Sequence, residues 1–211
     1  MLEIKLREAS KRFQYEWIFK NITLDLAIGS KTAITGSNGS GKSTLLKCIS
    51  GLIPTTEGKI TYFLNGTQIP DAEIYQYLVI SAPYLELPEE FTLIELLRFH
   101  FKFKRIFGNI SFEEMMETMF LKEHQNKQIS QFSSGMKKRL KIGLCFFSDA
   151  PFVLLDEPTS NLDERGINWY LDMVNNFGKE RTILVCSNDA KEYNFCQNHI
   201  NVEDYKIKQS I

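Results

Sequence analysis

Residues 36–44 read GSNGSGKST, and from Gly36 to Ser43 they satisfy the pattern GxxxxGK[ST]. Phosphate groups carry several negative charges, so a site for them needs backbone N–H groups turned inward. Glycines let the chain curl closely enough to present those groups. The stretch is preceded by KTAIT at 31–35, an apolar run with strand character. It is followed by TLLKCISGL at 44–52, whose apolar spacing is helical up to a stop at Gly51. Strand, loop and helix in that order is the context a phosphate loop requires. A helix beginning near Lys42 adds the positive end of its dipole. Lys42 supplies a mobile point charge for the β- and γ-phosphates, and the Ser43 hydroxyl suits Mg²⁺. Ser37, Thr44 and the backbone of Asn38, Gly39, Ser40 and Gly41 complete the cradle.

A second stretch, FVLLDE at 152–157, is an apolar run that ends abruptly in two carboxylates. Acidic groups at the carboxyl end of a parallel strand lie on the rim where α/β sheets bind ligands. There Asp156 would hold Mg²⁺, directly or through water. Glu157 would polarise the water that attacks a γ-phosphate.

The two stretches are joined by FSSGMKKR at 132–139 and SNLD at 160–163. With all four in the family's order along the chain, at 36–44, 132–139, 152–157 and 160–163, the chain resembles the ATP-binding cassette (ABC) ATPases over nearly its whole length. The resemblance implies ATP and Mg²⁺ as cofactors. The implied fold is α/β: a P-loop NTPase core with a mostly parallel central sheet, an antiparallel β edge layer and a helical subdomain. Residues 1–211 would form one domain, with the helical subdomain at about 84–148 inserted in the core. Ser133, Ser134 and Gly135 would contact the γ-phosphate of ATP held by a partner protomer, an arrangement that suits a helix N-terminus. Asp163 would cross the dimer interface near the partner's P-loop. The closed dimer would pair two copies of this chain, or this chain with a related ATPase subunit. The family also stacks an aromatic residue on adenine, and Phe13 is the first choice for it, with Tyr15 second.

Two family features are missing. Counting back from Thr92 in YLVISAPYLELPEEFT, the position of the family's usual glutamine falls on Pro83 or its neighbour, and no glutamine is present there. The histidine expected after the last core strand is Asn188 in TILVCSNDA. An amide can donate to a phosphate oxygen but cannot exchange a proton near neutral pH. Phosphoryl transfer depends mainly on positioning and charge stabilisation, so hydrolysis is expected to persist at a reduced rate. The opposing reading is a site that senses ATP with little hydrolysis, and an intact Glu157 argues against it.

At 211 residues the chain can bury roughly 70% of its unfolded surface, enough for a stable core without staples. Lys plus Arg (25) nearly balance Asp plus Glu (26), so no global field favours nucleic acid. Cys48, Cys145, Cys186 and Cys196 show no CxxC spacing, which fits a reducing compartment. No leader-like segment and no run of about 18 apolar residues is present, so the chain is expected in the cytoplasm, peripheral to the membrane through a partner.

Around the motifs, residues 2–6 and 22–26 alternate as half-buried strands, and 57–64 leads into a turn at Asn65-Gly66. From Thr92 to about Phe120 the spacing is mainly helical, broken near Gly108-Asn109, although Phe99 to Phe103 alternates like a strand. Helices are expected at 134–148 and 164–177, and buried strands at 152–155 and 182–186. His100, His124 and His199 match no ligand spacing and are expected on polar surfaces.

One short cassette without coiled-coil or zinc-binding insertions favours a transporter subunit acting with separate transmembrane subunits over a soluble cassette acting on nucleic acid or ribosomes. The aromatic-rich segment Tyr84 to Phe107, with Phe91, Phe99, Phe101, Phe103 and Phe107, lies where the family builds its groove for the membrane subunit. A helix-in-groove contact needs several of these exposed together.

Overall fold

The computed structural model describes residues 2–207. Two sheets and a set of helices build the chain. Strands β1 (Leu2–Phe13) and β2 (Glu16–Leu26) form a hairpin, and β4 (Glu57–Leu64) with β5 (Thr67–Ile69) extends it to an antiparallel sheet of order β2-β1-β4-β5. The second sheet has the order β6-β7-β8-β3-β9, with β3 (Lys31–Thr35), β6 (Leu78–Ser81), β7 (Phe152–Asp156), β8 (Thr182–Cys186) and β9 (Asn198–Asn201). Every pairing in it is parallel. The helices are α1 (Lys42–Ile49), α2 (Leu93–His100), α3 (Phe112–Thr118), α4 (Ser134–Phe147) and α5 (Glu164–Phe177).

The strands β7 and β8 are buried at every position because both faces of the parallel sheet are covered, and their side chains alternate into two cores. Val153, Leu155, Ile183 and Val185 point into a core shared with α4 and α5 and with the segment carrying α2 and α3. Phe152, Leu154, Leu184 and Cys186 point to the opposite side, against α1 and the antiparallel sheet. All four cysteines are free and buried within this packing.

The region 92–120 contains two short helices rather than one long one. Each begins with a capping box, Thr92 with Glu95 and Ser111 with Glu114, so each helix start satisfies its own backbone donors. The strand-like alternation of Phe99 to Phe103 does not produce a strand: α2 ends at His100 and a turn follows. The strands β6 and β9 were not expected from the sequence.

His100 departs from the expected polar surface. It is partly buried, and its Nε2 lies 2.9 Å from Ser148 Oγ, whose own hydroxyl donates to the Leu144 carbonyl at 2.6 Å. That leaves Nε2–H as the donor to Ser148, an assignment from the bonding network. Burial, with Lys104 nearby, pushes the imidazole pKa down to about 4, below the ordinary 6.5. Between those values the unfolded chain takes up a proton that the folded protein resists. This contribution is therefore complete above pH 6.5 and is lost as the pH falls toward 4. Urea titrations should show a loss on the order of 2 kcal/mol across that window. His100→Asn should flatten this part of the profile, and equal slopes in both proteins would count against the assignment.

Candidate functional site

The P-loop runs from the end of β3 into α1, and its curl uses left-handed backbone at Gly36 (φ 138°), Gly39 (φ 77°) and Gly41 (φ 111°). At two of them space is closed as well as conformation. A Cβ on Gly36 would meet Ser40 Oγ at 2.7 Å, and one on Gly41 would meet Ile18 Cγ2 at 2.4 Å. Lys42 Nζ donates to the carbonyls of Gly36 (2.8 Å) and Ser37 (3.0 Å), so the cation is stored against the loop that would present the phosphates.

Asp156 and Glu157 arrive at the same place from β7. One cavity of about 230 Å³ is lined by Ile18, the segment Asn38 to Thr44, and Glu157. The Ser43 hydroxyl is hydrogen-bonded to the Asp156 side chain, while Asp156 Oδ1 is buried with no hydrogen-bond partner. Burial raises the Asp156 carboxyl pKa above its usual value; the Ser43 bond opposes that shift and the neighbouring Glu157 adds to it. An unpartnered carboxylate oxygen beside a serine hydroxyl fits a hard divalent cation, which takes oxygen ligands and would relieve the desolvation. The donor set therefore suits Mg²⁺.

Glu157 is held by its backbone in the left-handed region (φ 46°). Its N–H donates to the Cys186 carbonyl (2.9 Å), and its own carbonyl accepts from Lys138 Nζ (2.6 Å) and Ser160 Oγ (3.0 Å). None of these bonds uses the Glu157 carboxylate. Asn188 reaches the P-loop: its Nδ2 donates to Asn38 Oδ1 at 3.0 Å.

The remaining motif residues form a second cluster. Ser133 caps α4, its hydroxyl accepting from Met136 N (3.2 Å), and Ser134 opens the helix. Asp163 caps α5 in the same way, accepting from Gly166 N at 2.9 Å. A Cβ on Gly135 would lie 3.5 Å from the Asn161 carbonyl, so the two helix starts adjoin. None of Ser133, Ser134, Gly135 and Asp163 lines the P-loop cavity.

Phe13 ends β1 half-exposed, with Lys11 Nζ 5.1 Å from its ring centroid. The aromatic residues beside the P-loop are Tyr15 and Trp17, which with Ile18, Gly39 and Ser40 line a cavity of about 510 Å³. Trp17 already has Lys20 Nζ at 4.0 Å and the Arg12 guanidinium at 5.0 Å from its ring. Tyr15 is 96% exposed, so its face is open.

Two contributors carried no sequence signal. Glu203 Oε1 accepts from both the N–H (3.0 Å) and the hydroxyl (2.5 Å) of Ser37, bracing the phosphate loop from 166 residues away. Lys138 lies inside the FSSGMKKR stretch yet serves the back of Glu157. Only the fold could reveal these two, since each acts across a long sequence separation.

Of the aromatic segment, Phe99 and Phe103 are exposed, whereas Phe91, Phe101 and Phe107 are partly buried; Phe91 and Phe101 pack on the helical core. The groove beside them, about 420 Å³, is mainly aliphatic, with Leu52, Leu78, Val79, Leu85, Leu87 and Leu144 in its wall. Among the described residues, no helix is long and apolar enough to cross a membrane.

A family model described as ABC transporter matches residues 19–160. The chain is 29% identical over 190 residues to the uncharacterized ABC transporter ATP-binding protein YybJ of Bacillus subtilis, covering 90% of this chain and 86% of that one. It is 36% identical over 176 residues to the cytochrome c biogenesis ATP-binding export protein CcmA of Reclinomonas americana, covering 81% and 77%. Its fold superposes on a dimeric ATP-binding cassette solved in a post-hydrolysis state with ADP and Pi. The TM-score is 0.80 at 22% identity, over 98% of this chain and 97% of that one. These matches, and a phosphate loop facing an acidic strand end, make the chain a member of the ABC transporter family, as one of its ATP-binding subunits.

Proposed function

We propose that the protein binds and hydrolyses magnesium-ATP at a site shared between two cassettes, and that this cycle powers transport through separate transmembrane subunits. The observation that carries the proposal is the single cavity lined by the P-loop and Glu157, with the unpartnered Asp156 oxygen bonded through its carboxylate to Ser43.

The P-loop N–H groups and Lys42 bind the phosphate chain, and the α1 N-terminus adds its dipole. Ser43 and Asp156 would hold Mg²⁺, which neutralises charge building up on the phosphate oxygens. Glu157 orients the attacking water; its backbone is fixed from three sides, so its carboxylate is aimed without being consumed by internal bonds. Asn188 donates to phosphate oxygen in place of a proton-exchanging group, and the rate is correspondingly modest. Tyr15 stacks on adenine, being the open aromatic face at the 510 Å³ cavity beside the P-loop, with Phe13 at the end of β1 as the second candidate.

Ser133, Ser134, Gly135 and Asp163 lie away from their own P-loop cavity, and this supports a role toward a partner's ATP. Residues 1–211 act as one cassette, with about 84–148 as its helical subdomain. In this reading the aliphatic groove takes an apolar helix of the membrane subunit, and the protein works in the cytoplasm at the inner face of the membrane.

Tagged Glu157→Gln protein extracted from native membranes in mild detergent with ATP should co-purify with a polytopic membrane protein, identified by mass spectrometry. Ribosomal or nucleic-acid partners in its place would favour a soluble cassette and retire the transport reading.

A further inference from the structure

The segment 201–207 runs along the outer side of the phosphate loop. Strand β9 lies beside β3 with Asn201 opposite Thr35, so it stops level with the last residue before the loop. Asn201 then works in two directions: its Oδ1 accepts from Glu203 N (3.1 Å), and a Cβ on Gly36 would meet that same oxygen at 3.3 Å. The turn that follows stays against the loop. A Cβ on Gly41 would lie 3.5 Å from Val202 Cγ1, and Lys206 and Ile207 line the 510 Å³ cavity together with Gly39 and Ser40.

Within this segment Glu203 makes the direct bonds. Its Oε1 accepts from both the hydroxyl (2.5 Å) and the N–H (3.0 Å) of Ser37, and these bonds hold its carboxyl below the usual range, ionised at neutral pH. The Ser37 carbonyl in turn accepts from Ser40 N (3.0 Å) and Lys42 Nζ (3.0 Å). Ser37 is therefore a node, with a carboxylate on one side and the loop's own N–H and cation on the other. It does not line the phosphate cavity, whose wall runs from Asn38 to Thr44. Glu203 thus meets the loop from outside that wall.

Resting on the ATPase reading above, we propose that Glu203 is a positioning residue for nucleotide binding: by fixing both donors of Ser37 it sets the P-loop in its phosphate-ready curl before ATP arrives. A loop ordered in advance loses less conformational freedom on binding, so the benefit appears in affinity. Once ATP is seated, its phosphates hold the loop themselves, and cleavage no longer needs the brace. Ser37 and Glu203 are both solvent-exposed, so water replaces part of the bond and the effect is modest.

The test reads three quantities in wild type, Glu203→Ala, Glu203→Gln and Ser37→Ala: the ATP dissociation constant by calorimetric titration, the single-turnover cleavage rate at saturating magnesium-ATP, and the thermal melt. Glu203→Ala should weaken ATP binding about fivefold, with saturated cleavage within about twofold of wild type and a melt within a few degrees. Glu203→Gln keeps a side-chain oxygen for both donors and should restore affinity to within about twofold of wild type. Ser37→Ala should weaken binding by itself yet add nothing on top of Glu203→Ala, because the hydroxyl has by then lost its acceptor. Wild-type affinity in Glu203→Ala would overturn the inference, as would tighter binding, which would make the carboxylate a repulsive charge. So would a Glu203→Gln protein as weak as Glu203→Ala, a loss confined to saturated cleavage, or a loss of affinity that tracks a collapsed melt. All of these results leave the ATPase reading standing, whereas wild-type protein that binds no ATP sinks that reading and the inference together.

Discussion

Lys42→Ala should lose ATP binding by roughly 100-fold, about 3 kcal/mol, and show no measurable turnover, while its fold persists. The Lys42 ammonium is buried within the loop and bonded only to the carbonyls of Gly36 and Ser37. Lys42 itself lines the cavity the phosphates would fill, so the cation needs only a small swing to exchange those carbonyls for β- and γ-oxygens. Deleting it leaves two carbonyls at a cavity open to water, a cost of about 1 kcal/mol and a few degrees in Tm for a chain of this size. Calorimetric titration with ATP, set beside a thermal melt, separates the two effects. Normal affinity in this variant would overturn the phosphate-site assignment; lost affinity together with a collapsed melt would make Lys42 a structural residue of the loop instead.

Contiguous chemistry was legible in the sequence and convergent chemistry was not. The phosphate loop and the acidic strand end are each a short run whose function needs neighbouring residues, so spacing alone exposes them. Their meeting in one cavity follows from the parallel order of β7, β8 and β3, which the apolar runs at 152–155 and 182–186 imply. Strand β6 is different: it is four residues, LVIS, too short for periodicity to tell strand from helix, and it becomes a strand by pairing with β7. Strand β9 reads NHIN, three polar residues in four, and is a strand because it closes the sheet edge against β3. Glu203, just beyond it, braces Ser37 only because that edge lies beside the P-loop. At the hairpin, a two-residue turn between Phe13 and Glu16 sends neighbouring aromatic residues to different places, so sequence order could not decide between Phe13 and Tyr15. The phenylalanines of 91–107 carried a strong hydrophobic signal, yet the groove wall is mostly aliphatic. Apolar character does not reveal which side of a small lobe a ring will face.

Glu157→Gln tests the shared site and the chemistry in one variant. The four bonds that fix Glu157, from Lys138 Nζ, Ser160 N and Ser160 Oγ and to the Cys186 carbonyl, all use its main chain, so the amide should occupy the same position with no rearrangement. Phosphate contacts and the Ser43–Asp156 pair are untouched, and ATP should bind with wild-type affinity. The attacking water, however, faces an amide that cannot accept its proton, and single-turnover cleavage should fall by roughly 100- to 1,000-fold. With ATP retained, Ser133 to Gly135 of one copy would stay engaged on the nucleotide of the other. Light scattering in saturating magnesium-ATP should therefore report a dimer that wild type populates only transiently. A monomeric Glu157→Gln protein with ATP bound would exclude pairing of two copies and require a different cassette as the partner. Cleavage at the wild-type rate would remove Glu157 from the chemistry. Wild-type protein that cleaves nothing over hours in a dimer would convert the site, with Asn188 where a proton carrier is expected, into a sensor of ATP. The orphaned Asp156 oxygen and the backbone-fixed Glu157 are arranged for hydrolysis, because a site built only to sense ATP needs the first and has no use for the second.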